Sequence, residues 1–220
     1  MDTPSKKVLV LYSGGKDSSA TAVLLARMGY QVKLFTCESS SSELRGPLGD
    51  SAPDIRHKEL IDVFPQNIDG KRIIQNFSYL IRKLAIEKTN IEHVVYPLAL
   101  ALAVHTEAIC YCLKNDISVI ATGYSGYQAE KDKYLEQQDD YINLTEGFLK
   151  EYGISYLTPL KYKSEAEVND ILERNYISSK SLENKSIFGG VSFNKEKALE
   201  FWQSCIPICK ELIKNRQTSN

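Results

Sequence analysis

Ser13-Gly14-Gly15-Lys16-Asp17-Ser18 is the stretch of this chain whose residue types and spacing are suited to chemistry. Two adjacent glycines let a turn of backbone approach a ligand closely. Successive N–H groups at the start of a helix converge on one point, with a partial positive charge behind them. Such a turn binds phosphate. Ser13 and Ser18 add hydroxyl donors and Lys16 a mobile positive charge. A Walker loop would need a glycine where Val10 stands and Ser or Thr where Asp17 stands, so this is a different phosphate loop. The dinucleotide spacing G-x-G-x-x-G is not met either. The plain alternative is a strand-to-helix turn with one acidic residue in its first turn.

The elements around the loop argue for the functional reading. Lys7 to Tyr12 (KVLVLY) is a short continuous apolar run, the pattern of a strand buried on both faces in a parallel sheet. From Asp17 the spacing becomes helical, with Ala20, Val23, Leu24 and Met28 on one stripe and Gly29 placed to close it. Gln31 to Cys37 (QVKLFTC) is a second strand. Strand, glycine turn, helix and strand within about 30 residues form a βαβ unit, and the fold class is α/β, doubly wound, with a mostly parallel sheet and flanking helices.

Downstream, Glu38 to Arg56 carries four consecutive serines (Ser39 to Ser42), Gly46, Pro47, Gly49 and Pro53, which is loop chemistry and a candidate lid. Lys71 to Thr89 has helical spacing, and Pro97 suits the first turn of an apolar helix reaching Leu113. Ile117 to Thr122 is the next strand, ended by Gly123. The Tyr-rich stretch Tyr124 to Gln138 leads to a helix through Lys150, then Ile154 to Leu157 and the turn Thr158-Pro159-Leu160. Ser164 and Glu167 form a capping box that starts a helix Glu165 to Arg174, and Lys195 to Ile213 is a final helix. This predicts one domain over residues 1–220 with a helical extension from about residue 176.

Ser-Gly-Gly-x-Asp-Ser after an N-terminal strand resembles the pyrophosphate loop of the ATP pyrophosphatases, whose fold is adenine nucleotide alpha hydrolase-like. The resemblance implies ATP and Mg2+ as cofactors, and adenylation of a substrate oxygen with release of pyrophosphate. By it, Ser13, Gly14, Gly15, Lys16, Asp17 and Ser18 hold the phosphates, Lys16 and Asp17 take part in catalysis, and Asp17 orients the loop or approaches the magnesium ion. Thr36 and Cys37 then lie near adenine and ribose, with Gly123 beside them, because ligands collect at the carboxyl ends of parallel strands.

Within that family, Tyr96-Pro97, Thr122-Gly123, Thr158-Pro159-Leu160 and Ser164-Glu165-Ala166-Glu167 are similar to 7-cyano-7-deazaguanine synthases, as is Arg56-His57 with Glu59-Leu60. That likeness implies a carboxylate of the 7-carboxy-7-deazaguanine type as substrate, with ammonia or, in a divergent member, a protein amine as acceptor. His57 would serve as general base or substrate contact; a solvated histidine at a helix start is the alternative. The chain departs from the pattern in three ways. The region Leu182 to Phe193 lacks the four zinc cysteines, Glu165 stands where lysine is usual, and Lys16 is more typical of relatives that thiolate tRNA. Two other readings stay open: a tRNA-modifying enzyme of the thiolation type, and an ATP-sensing module acting on a partner.

Composition bounds these readings. Against 28 acidic residues stand 27 basic ones, a net charge of −1, so there is no chain-wide footprint for a nucleic acid. Five cysteines, Cys37, Cys110, Cys112, Cys205 and Cys209, are too scattered for a disulfide framework, and Cys205 with Cys209 alone does not close a zinc site. The N-terminus Met1 to Lys7 is polar and no apolar run approaches the ~20 residues of a membrane helix, so a cytoplasmic protein is expected. His105 reads as a satisfied core or interface histidine, and His93 as a surface one. Tyr124, Tyr127 and Tyr134 could stack a planar base or be ordinary loop tyrosines. The apolar helix ending at Leu113 suits either the core or a homodimer interface.

Overall fold

A computed structural model of the chain describes residues 6–38, 51–81, 83–84, 96–130, 134–180, 182 and 195–218. Ser39 to Ser42, Gly46, Pro47, Gly49 and His93 lie outside these residues, as do 183–193 of the region Leu182 to Phe193. The first strand, β1 (Lys7–Leu11), leads through the glycine turn into α1 (Lys16–Arg27) and then β2 (Gln31–Glu38), so the predicted βαβ unit forms where it was expected. Alternate side chains of β1 go to opposite faces: Val8 and Val10 pack with α1, whereas Leu9 packs under the long helix α4 (Tyr96–Lys114). All three side chains are fully buried, which is why the run reads as continuously apolar.

Two more strands, β3 (Ile73–Asn76) and β4 (Val119–Ala121), together with β5 (Ser155–Leu157), complete a five-stranded sheet in the order β3-β2-β1-β4-β5. Every pairing among them is parallel, with Val10 opposite Leu34 on one side and Ala121 on the other. Because β1 has β2 on one flank and β4 on the other, the crossovers leaving β1 and β4 go opposite ways. A crevice opens at their carboxyl ends, where open α/β sheets bind ligands.

Two sequence expectations are corrected here. The loop predicted to run to Arg56 ends earlier, because α2 spans Ala52–Val63 and includes Arg56 and His57. Pro53, read as loop chemistry, sits in the first turn of that helix, and Ser51 with Asp54 forms a capping box, so the same residues start a helix. The helical spacing assigned to Lys71 to Thr89 gives way at Ile73–Asn76, which pairs in register with Phe35 to Glu38 as the edge strand β3. Its β-branched Ile73 and Ile74 suit a strand, and its alternating half-buried and exposed side chains have period two. A short helix α3 (Ser78–Ile81) follows.

The remaining elements follow the predicted order. After β4 come α5 (Gly126–Ala129), a single 3-10 turn Leu135–Gln137, and α6 (Asp139–Lys150). The Ser164 capping box starts α7 (Glu165–Glu173) as expected. The last helix, α8 (Lys195–Thr218), is longer than its apolar stripe and packs across α4. Trp202 of α8 is 2% exposed and meets the Tyr141 ring edge-on at 5.6 Å. Cys205 and Cys209 are buried in the same cluster with Cys112. Trp202→Ala should lower stability by about 3 to 5 kcal/mol, read as one cooperative shift in chemical denaturation; unfolding of α8 alone, with the sheet's transition unmoved, would contradict this packing.

Candidate functional site

The glycine turn meets two other backbones at van der Waals limits. Gly14 has φ +77°, and a Cβ there would lie 2.4 Å from the backbone of Pro53 at the start of α2. Gly123, just after β4, leaves no room for a Cβ either, since one would sit 2.6 Å from the Ser18 amide nitrogen. Glycine is therefore required at both places by shape, and at Gly14 by conformation as well. The turn is braced from within: the Ser13 hydroxyl accepts from the Gly15 amide at 3.3 Å, and the Ser19 hydroxyl donates to the Gly15 carbonyl at 2.8 Å.

A cleft of about 340 Å³ opens over the carboxyl ends of β1, β2 and β4. Ser13, Gly15, Asp17, Ser18, Thr36 and Gly123, from the predicted nucleotide set, line it together with Cys37 and Tyr124. Thr36 is positioned by its own hydroxyl, which donates to the Tyr12 carbonyl at 2.7 Å. Phe35, Leu100 and Val104 supply apolar walls.

Lys16 and Asp17 are held by elements far away in sequence. The Lys16 ammonium pairs with Glu165 at the start of α7 and lies 5.6 Å from the centre of the Tyr127 ring. Asp17, 6% exposed, accepts from the Tyr127 hydroxyl at 2.7 and 2.9 Å and from the Gln128 side-chain amide at 2.8 Å. Gln128 in turn accepts from Gln137 at 2.8 Å, and Gln137 accepts from the Ser125 amide at 3.1 Å. This relay clamps the segment after β4 onto the first turn of α1.

His57 is not among the cleft-lining residues. It is nearly buried on α2, with Nε2 2.9 Å from the Asp69 carbonyl oxygen. Its neighbour Arg56 is fully buried and ties α2 to the segment after α7, donating to the Ser178 carbonyl and, at 2.8 Å, to the Lys180 carbonyl. His105 is the satisfied core histidine its pattern implied, between the Ala101 carbonyl at 2.7 Å and the Tyr156 hydroxyl at 3.1 Å, and burial lowers its pKa to about 4. Cys37 lines the cleft as a thiol whose pKa burial pushes well up. Lys161 and Lys163 pair with Asp139 and Glu167.

Sequence reasoning passed over Glu136. It lies in the 3-10 turn inside the Tyr-rich stretch, lines the cleft, and has a buried Oε2 with no hydrogen-bond partner. Burial pushes its pKa up to about 7. A larger cavity of about 690 Å³ lies between β3, α4 and α8, away from the glycine turn, and its buried carboxylate, Glu107, is already held by Arg216 at 2.8 Å.

The raised pKa of Glu136 has a definite sign in stability. The folded chain keeps a proton that the unfolded chain has released between pH 4.5 and about 7, so stability falls as pH rises through that window. Glu136→Gln removes this cost. Its melting temperature should exceed that of the parent at pH 8, with the gain vanishing at pH 4.5 and below; an equal gain at every pH would contradict the assignment.

Comparison with known proteins adds to this geometry. Among curated proteins no match is found. The fold is shared at 14% identity by a 4-thiouridine synthetase solved in complex with RNA and with bound ATP. There the TM-score is 0.62 over 97% of this chain, which spans 54% of that one. It is shared at 16% identity by the U34-tRNA thiolase NcsA of Methanococcus maripaludis, solved with its [4Fe-4S] cluster, with a TM-score of 0.50 over 96% of this chain and 74% of that one. A predicted subunit of tRNA methyltransferase from Methanocaldococcus jannaschii is 24% identical over 79% of this chain and 90% of its own length, with a TM-score of 0.46. The first two share the expected α/β fold, a parallel sheet with flanking helices. They do not show the narrower likeness to 7-cyano-7-deazaguanine synthase. Residues 6–187, which contain the glycine turn and every cleft-lining residue, match one family along their whole length, and the chain belongs to that family of unknown function, DUF7411.

Proposed function

We propose that this chain is an ATP-dependent adenylating enzyme of the tRNA-modifying type. In this reading a substrate oxygen attacks the α-phosphorus of ATP, the bond from that phosphorus to the bridging oxygen of the β-phosphate breaks, and pyrophosphate leaves. A second nucleophile then displaces AMP from the activated carbon. The observation that carries the proposal is the glycine turn at the switch point, packed so closely by Pro53 and Ser18 that only glycine fits at Gly14 and Gly123, and facing a cleft wide enough for a ligand. The shared fold of an ATP-bound 4-thiouridine synthetase and a tRNA thiolase supports it and favours a nucleobase carbonyl as the oxygen that is activated.

Each loop residue has a task in this chemistry. The backbone from Gly14 to Lys16 and the hydroxyls of Ser13 and Ser18 hold the departing pyrophosphate and spread its charge. Lys16, now paired with Glu165, is the mobile cation beside them. Thr36 and Gly123 border the nucleoside, and His57 acts from behind the cleft by holding α2 against Asp69. Magnesium takes one or two carboxylates plus phosphate oxygens and water, and Asp17, lining the cleft, fits an ion carried on ATP. Among the described residues no cluster of three or more His, Cys, Asp or Glu forms a protein-only cage. No helix among them is long and apolar enough to cross a membrane.

One observation keeps a nitrogen acceptor as the second reading. Of the five cysteines, Cys110, Cys112, Cys205 and Cys209 sit in α4 and α8, and only Cys37 lines the cleft, so the site has no thiol pair for relaying sulfur. A carboxylate of the 7-carboxy-7-deazaguanine type, with ammonia or a protein amine as acceptor, fits that arrangement. Incubation with ATP, magnesium and either unmodified tRNA or 7-carboxy-7-deazaguanine should yield AMP and pyrophosphate with one of the two. Asp17→Ala should reduce that rate by about 100-fold or more. Formation of ADP and phosphate, or an unchanged rate in Asp17→Ala, would overturn the proposal.

A further inference from the structure

Lys16 belongs to the glycine turn, yet it stands outside the cleft that the turn faces. Its neighbours Gly15 and Asp17 both line that cleft, and Lys16 does not. Its side chain runs instead beside the Tyr127 ring to pair with Glu165, and only 13% of it is exposed. Lysines mostly lie exposed, with the ammonium in water, so a side chain covered to this extent occupies a definite station. Burial, the bond to Asp17 and the charges of Asp17 and Glu165 push the Tyr127 pKa well up, which sets both carboxylates around that hydroxyl.

The two partners differ in freedom. Glu165 is the first residue of α7, whose start is fixed by its capping box: the Ser164 hydroxyl accepts from the Glu167 amide at 3.3 Å, and the Glu167 carboxylate accepts from the Ser164 amide at 2.8 Å. Val168 and Leu172, buried in one cluster with Ala20 and Val23, hold that helix against α1. Lys16 has a flexible stem on a backbone already at the turn, so its ammonium can change place by side-chain rotation alone. The pair itself is weak, because the Glu165 side chain is 55% exposed. A chain of phosphates carries more negative charge than one carboxylate and competes for the same ammonium. A site whose cation is committed elsewhere binds its ligand less tightly by the fraction of time that the cation is free.

We propose that Glu165 is a positioning residue that holds the Lys16 ammonium out of the cleft until the phosphates of ATP draw it in, so that nucleotide binding and opening of the Lys16–Glu165 pair are one event. This rests on the adenylation reading, which puts the β- and γ-phosphates at the turn.

The test is calorimetric titration of the full chain with α,β-methylene ATP and magnesium, in the parent, Glu165→Gln, Lys16→Met and the double variant. Glu165→Gln should bind the analogue about threefold to fivefold more tightly than the parent, the scale of an exposed ion pair. In the Lys16→Met background the same change should have no effect, since there is no ammonium left to release. AMP, which lacks the β- and γ-phosphates, should not distinguish the parent from Glu165→Gln. Equal tightening in both backgrounds would mean that Glu165 merely repels the phosphates, and would overturn the inference. So would unchanged or weaker binding of the analogue by Glu165→Gln, or the same tightening for AMP. Failure of the parent chain to bind the analogue at all would instead overturn the adenylation reading.

Discussion

Close approach of three backbones around one turn is the constraint on which the site depends. Gly14 lies under the start of α2, and Gly123 lies against the first turn of α1, each at a distance that excludes even a methyl group. These contacts bring the ends of β1 and β4 and the start of α2 to a common point, and that point is the switch in strand order of a parallel sheet. The buried faces of β1 hold the arrangement from below, with α1 on one side and α4 on the other. A phosphate-binding turn needs this support, because its donors are backbone groups whose direction is fixed only by the packing around them.

Charge is distributed around the turn with the same economy. Lys16 and Asp17 are adjacent in sequence, yet each is fastened to a different distant segment, Lys16 to Glu165 of α7 and Asp17 to Tyr127 and Gln128 of α5. The hydroxyl of Tyr127 reaches Asp17 while its ring lies beside the Lys16 ammonium, so one side chain orders both loop charges. Glu136 stands apart from this paired set. Its Oε2 is buried with no hydrogen-bond partner, and burial holds the carboxyl group's pKa up at about 7.

Much of this was legible in the chain. The continuous apolar run of β1, the glycine pair and the return of helical spacing identify the βαβ unit, and the Ser164 capping box marks the start of α7, because these signals are local. The edge strand β3 was hidden because Ile73 and Ile74 also fit a helical stripe, and only pairing with Phe35 to Glu38 makes them a strand. Pro53 was hidden because proline serves loops and first turns alike. The contacts of Asp17 with Tyr127 join residues 110 apart in sequence, and no spacing rule reaches that far. Glu136 was passed over for the same reason: the burial of its Oε2 is a property of the folded cleft.

The most direct test of the central claim is an experimental structure of the chain with α,β-methylene ATP and magnesium, since that analogue resists cleavage at the bond the enzyme is expected to break. The account predicts the β- and γ-phosphates within hydrogen-bonding distance of the backbone amides of Gly14 to Lys16, and the nucleoside beside Thr36 and Gly123. Phosphates bound elsewhere, for example at Arg216 and Lys114 in the cavity between α4 and α8, would contradict it.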